Sequence, residues 1–79
     1  MNYKVRRYET ELKIVEALRK RLSAGGGWTR IQMKEDGACL DISVKASGYL
    51  VAMERGTKLF EGLDEVAEWI MRKGWTKVP

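Results

Sequence analysis

Residues 28–60 read WTRIQMKEDGACLDISVKASGYLVAMERGTKLF, and the period of this stretch decides the fold. Successive side chains of a strand point to opposite faces, so polar and apolar residues alternating at every second position mark a half-buried strand. Trp28–Lys34 sets Ile31 and Met33 against Arg30, Gln32 and Lys34. The next run is cleaner, with Ala38, Leu40, Ile42, Val44 and Ala46 alternating with Cys39, Asp41, Ser43, Lys45 and Ser47. Asp36-Gly37, Ser47-Gly48 and Arg55-Gly56 punctuate the stretch, and glycine-bearing pairs of this kind suit tight hairpins. Tyr49–Met53 supplies a third strand and Thr57–Phe60 a short fourth. The stretch therefore reads as an antiparallel meander of three to four strands.

Upstream the period lengthens to three and four. Val5, Tyr8, Leu12, Val15, Leu18 and Leu22 fall on one stripe at about 100° per residue, which predicts a helix over residues 8–23. Tyr3, Val5 and Arg7 also fit a short strand, so its start is open. Glu9 and Glu16 stand four residues before Lys13 and Lys20, the favourable order for helical ion pairs. Arg19, Lys20 and Arg21 meet the carbonyl end of the helix dipole, and Gly25-Gly26-Gly27 ends the helix. Downstream, Leu63, Val66, Ala67 and Ile70 predict a second helix over Leu63–Lys73. Gly62 is its N-cap, Asp64 and Glu65 lie in its first turn, and Gly74 follows its C-cap, with Trp75 folding back on Ile70. Two amphipathic helices and a sheet with one strongly apolar side pack most economically with both helices on one sheet face. The expectation is a single α+β domain over residues 1–79, ordered α-β-β-β-(β)-α, with the other sheet face open.

Composition closes several reaction classes. The 79 residues contain no histidine and one cysteine, Cys39. Histidine is the usual acid–base group near neutral pH and the commonest metal ligand, so Ser–His or Cys–His nucleophiles and ordinary zinc, haem or copper sites cannot be built within one chain. Asp64, Glu65 and Glu68 read as partners of a helix N-terminus, and Gly25–Gly27 lacks the spacing of a phosphate loop. No enzyme activity, cofactor or metal is expected. A lone cysteine fits a reducing compartment, and no apolar run nears the ~20 residues that span a bilayer. A soluble, cytoplasmic protein without a membrane partner is the resulting expectation. A core of this size supplies only about 3–5 kcal/mol, which favours self-association or a stabilising partner.

Binding is what remains, and two surfaces carry the residues for it. The open sheet face would present Trp28, Arg30, Gln32, Lys34 and Lys45, and Trp69 and Trp75 would form an aromatic end. Large aromatics that a small core cannot all bury (Tyr3, Trp28, Tyr49, Trp69 and Trp75) serve as interface anchors. The alternative partner is nucleic acid. The net charge is +4, and the excess sits in residues 1–27, with seven basic and three acidic groups. Arg6, Lys13 and Lys20 are seven apart and nearly in line, with Arg21 beside them, a row that can track phosphates.

The order of elements resembles the double-stranded-RNA-binding domain. That family grips phosphates through a glycine-serine-lysine-lysine turn at the start of its last helix, where this chain has Phe60-Glu61-Gly62-Leu63-Asp64-Glu65. The resemblance implies topology and not RNA binding. The leading expectation is a non-catalytic protein-binding domain, such as a small adaptor, inhibitor or accessory protein of the kind carried by phages and mobile elements. The alternative is a nucleic-acid-binding accessory protein using the helix 1 ridge and the open sheet face.

Overall fold

Four antiparallel strands pair in chain order to make one sheet, and two helices cover one of its faces. The computed structural model describes residues 3–79, with side chains from Val5 onward. The elements are α1 (Tyr3–Ala24), β1 (Trp28–Gln32), β2 (Cys39–Lys45), β3 (Gly48–Met53), β4 (Gly56–Phe60) and α2 (Leu63–Arg72). The expected α+β order holds, and the fourth strand forms. No helix among the described residues is long and apolar enough to cross a membrane.

The strand alternation sorts most side chains as read, but at the end of β2 Val44 is 49% exposed and Ala46 lies exposed in the turn, beyond the reach of the covering helices. Thr29, Ile31, Met33, Leu40, Ile42 and Val51 turn inward and are buried. They meet Ile14, Leu18 and Leu22 of α1 and Val66 and Ile70 of α2 in one core. Both helices end in the same motif, with a glycine at positive φ just past the C-cap. In α1, Gly26 has φ 66, with N–H bonds from Gly27 to Leu22 O and from Gly26 to Ser23 O. In α2, Gly74 has φ 87, with bonds from Trp75 to Ile70 O and from Gly74 to Met71 O. Only a residue without Cβ adopts this left-handed cap freely, which is why each helix stops at its glycine.

Helix α1 departs from its expected register. It begins at Tyr3, so the short-strand reading does not hold, and its buried line is Ile14, Leu18 and Leu22. Val5, Tyr8 and Leu12 are exposed, and Val15 is half-buried. The reason is geometric. Residues spaced by four stay close to one line, whereas Val5, Tyr8 and Leu12 lie about 100° around the helix from it. The expected Glu9–Lys13 and Glu16–Lys20 ion pairs do not form either. Within 4.0 Å, the ion pairs among the described residues are Arg30–Asp41 and Arg72–Glu68.

The turns shift by small amounts. Asp36-Gly37 does not make a two-residue turn. It closes a four-residue loop, 34–37, between Met33 and Ala38, whose N–H···O bond is 2.8 Å. Asp36 explains the extra length, because Oδ1 accepts the Ala38 N–H and Oδ2 accepts the Trp75 indole N–H, both at 3.0 Å. The other two hairpins turn on Ala46-Ser47 and Glu54-Arg55, and Gly48 and Gly56 follow the turns as the first residues of the returning strands. Gly48 is at φ 144, and a Cβ there would lie 2.0 Å from the Phe60 carbonyl oxygen. Gly48→Ala therefore combines a strained φ with a backbone clash and should destabilise the domain by about 1–3 kcal/mol. Thermal unfolding should register this as a drop of about 4–8 °C per kcal/mol.

Candidate functional site

The uncovered face of the sheet is built by register. Trp28 pairs with Ser43, Ser43 with Leu50 and Leu50 with Leu59, so these four side chains form one row across all four strands. At ~4.8 Å between strands the row spans about 14 Å. Trp28 is 47% exposed and Leu59 51%, while Leu50 is half-buried. The neighbouring row is Arg30, Asp41, Ala52 and Thr57.

Charge on this face is largely cancelled. Arg30 donates from Nε to Asp41 Oδ1 at 2.7 Å and from a terminal nitrogen to Oδ2 at 3.0 Å, a two-pronged pair directly across β1 and β2. The guanidinium also lies 5.8 Å from the Trp28 ring centroid. Lys45 is exposed at the corner where β2 ends. Lys34 lies in the loop after β1 and not on the strand, because β1 stops at Gln32. Gln32 pairs with Cys39 at the far end of the face, and both are exposed. The row is thus uncharged and mostly apolar, with the Arg30–Asp41 pair on one side and Lys45 at the corner on the other.

Leu50, Ala52, Thr57 and Leu59 were not legible as members of this face. Tyr49–Met53 is apolar at every position, so alternation cannot tell its two sides apart. The Glu54-Arg55 turn sets the register that places Leu59 beside Leu50, and a turn on Arg55-Gly56 gives a different one.

The expected aromatic end does not form a surface. Trp75 is 5% exposed and belongs to the core, with its indole N–H on Asp36. Trp69 is half-buried between Phe60 and Trp75, each with its ring centroid 5.8 Å away, and the Lys73 ammonium sits 5.4 Å over it. The Tyr3 side chain lies outside the described residues.

The helix 1 ridge divides into two kinds of residue. Arg6, Lys13 and Lys20 are exposed, and seven-residue spacing sets them about 10.5 Å apart along the axis. Arg21 is different, because its guanidinium is committed to three oxygens. It donates to Thr29 Oγ1 at 3.2 Å, to the Arg30 carbonyl at 2.8 Å and to the Pro79 carbonyl at 2.7 Å. It binds α1 to β1 and to the last residues of the chain. Thr76 reinforces the same tail by donating from its N–H and hydroxyl to Glu35 Oε1, both at 3.3 Å.

Among the described residues no three His, Cys, Asp or Glu side chains come together as a metal-binding group. Comparison with protein-family models, with curated proteins and with solved structures found no match.

Two outcomes follow from these contacts. Arg21→Ala leaves the buried Thr29 hydroxyl and two carbonyls without their donor and should cost about 1–3 kcal/mol, while Lys13→Ala should change thermal stability little. The Arg30 guanidinium, through its hydrogen bonds and then its charge, holds the Asp41 carboxyl below its ordinary value of 3.8. A lowered folded pKa contributes stability above the ordinary carboxylate range and loses it as pH falls through the lowered value. Carboxyl-carbon NMR titration should therefore place the Asp41 midpoint below 3.8, and Arg30→Ala should return it toward that value.

Proposed function

We propose that this chain is a non-catalytic protein-binding domain, an adaptor, inhibitor or accessory protein that docks through its open sheet face. The observation that carries the reading is the Trp28–Ser43–Leu50–Leu59 row. A half-exposed tryptophan and two leucines aligned across a sheet, with Arg30 and Asp41 of the neighbouring row paired to each other, offer apolar area that water-facing strands do not need. A phosphate-binding face requires several free cations, and with Arg30 held by Asp41 this face is left with Lys45 at its corner. The non-catalytic part of the reading rests on the absence of histidine and on Cys39 being the single cysteine.

The test is capture from nuclease-treated lysate on the wild-type chain and on Trp28→Asp and Leu50→Asp variants whose folding is checked by circular dichroism. A specific protein retained by the wild type should be lost from both variants, with affinity falling by at least about 2 kcal/mol, on the order of thirtyfold, for the tryptophan. Equal retention by all three chains moves the site off this face.

A second reading has its own observation. Arg6, Lys13 and Lys20 are exposed in line and, among the described residues, make no ion pair within 4.0 Å. Such a row suits a nucleic-acid backbone. It requires binding whose logarithm falls with log salt at a slope of roughly 0.9 per phosphate on duplex DNA. Loss of that slope in an Arg6→Ala, Lys13→Ala, Lys20→Ala chain is its signature.

A further inference from the structure

We propose that β4 is a dimerisation edge. Two copies of this chain pair their β4 strands antiparallel about a two-fold axis at Leu59, joining two four-stranded sheets into one.

The two edges of the sheet are not alike. At β1, the Arg30 carbonyl that points away from β2 is capped by Arg21, and the Trp75–Pro79 tail is tied down beside this strand by Glu35, Asp36 and Arg21. At β4, among the described residues, no side chain caps Thr57 or Leu59 and no terminal segment is tied alongside. Met53 and Gly56 close the Glu54-Arg55 hairpin, so Met53, Val51 and Tyr49 exchange hydrogen bonds with Gly56, Lys58 and Phe60. The intervening Thr57 and Leu59 then direct their N–H and C=O groups outward. Both residues are exposed. The Glu61 N–H, next in this series, is satisfied by Glu65 Oε2 at 3.0 Å, so the open ladder is confined to Thr57 and Leu59. The strand contains neither proline nor a bulge to blunt it.

Charge along this edge selects a second copy as the occupant. Arg55 precedes the strand, Lys58 stands at its centre, and Glu61, Asp64 and Glu65 lie at and beyond its end. An antiparallel two-fold sets Arg55 and Lys58 of each copy toward the acidic end of the other, and a parallel arrangement would set like against like. With Leu59 on the axis, Leu59 faces Leu59 of the second copy, and Thr57 faces Glu61, whose carbonyl accepts the Thr57 N–H while its own N–H stays with Glu65. Lys58, the inward charge that would ordinarily discourage pairing, comes opposite Phe60 of the second copy on the side where Glu65 and Glu68 project. Within one chain its ammonium already lies 5.4 Å over the Phe60 ring, so that position accepts a lysine. The Leu50–Leu59 part of the row then continues through the axis as one apolar ribbon over the four central strands, with Ser43 and Trp28 beyond it on each side. The pairing uses the edge and not Trp28, so its failure leaves the docking reading of the face intact.

The experiment combines mass and register. Sedimentation equilibrium across the micromolar range should show a mass rising from 9.1 kDa toward twice that value. Leu59→Pro, which removes an N–H that only the dimer uses, should return it to the monomer with an unchanged far-ultraviolet spectrum. In a Cys39→Ser background, Leu59→Cys should form a disulfide-linked dimer under mild oxidation, and Thr57→Cys should not, because residue 57 faces residue 61 in this register. A mass fixed at the monomer overturns the proposal, including when Leu59→Pro abolishes capture of an unrelated protein strand. A dimer that survives Leu59→Pro, or cross-links equally at 57 and 59, also overturns it.

Discussion

Two helices can cover only one side of a four-stranded sheet, and nearly every other property of this molecule follows from which side they cover. Ile14, Leu18 and Leu22 from α1 and Val66 and Ile70 from α2 converge on Ile31, Leu40, Ile42 and Val51. This one contact layer supplies most of the buried apolar area, which is the main favourable contribution to folding in so short a chain. It leaves the opposite face to water. That face would be unremarkable if it were polar throughout, but β3 and β4 contribute Leu50, Ala52 and Leu59 where β1 and β2 contribute Arg30, Asp41 and Ser43. Trp28 on β1 and Thr57 on β4 are the exceptions to an outer side that is otherwise polar on the first two strands and apolar on the last two.

Arg21 shows how the same residue type acquires a different role from its surroundings. In the sequence it is one of the four basic groups, with Arg6, Lys13 and Lys20, read as a ridge on α1. In the fold its planar fork reaches a buried hydroxyl and two carbonyls on separate segments, a geometry that a guanidinium matches better than an ammonium does. Arg6, Lys13 and Lys20 remain solvated on another side of the helix. A tally of charges treats the four alike, whereas hydrogen-bond geometry separates one structural member from three free ones.

What could be read in advance follows the strength of local periodicity. The alternation in β2 was unambiguous, and so were the i, i+3, i+4, i+7 stripe of α2 and the glycines that end both helices. These are short-range patterns, and the structure keeps them. The stripe of α1 was misassigned because that helix carries apolar residues on more than one line, and only the packing of α2 and the sheet against it selects Ile14 over Leu12. The four-residue loop after β1 depends on Trp75, thirty-nine positions away from Asp36, so no local rule could find it. Trp75 does fold back on Ile70 as the local pattern implies, but the same loop decides that it is buried and not part of an exposed aromatic end. Its burial is settled by a loop carboxylate that accepts the indole N–H. The composition of the open face hinged on register, which a single residue of turn placement alters throughout.

The strictly sequential pairing of β1 with β2, β2 with β3 and β3 with β4 has a kinetic side. Each hairpin closes a short loop, so its entropy cost is small and the meander can assemble by zipping from one turn to the next. The partners that are far apart in the chain belong to the outer layer, where α1 meets α2 and the tail meets the loop before β2. Joining the two ends closes the longest loop in the chain and so carries the largest loop-closure cost. The tail that makes this long-range contact also ties down beside the first edge of the sheet.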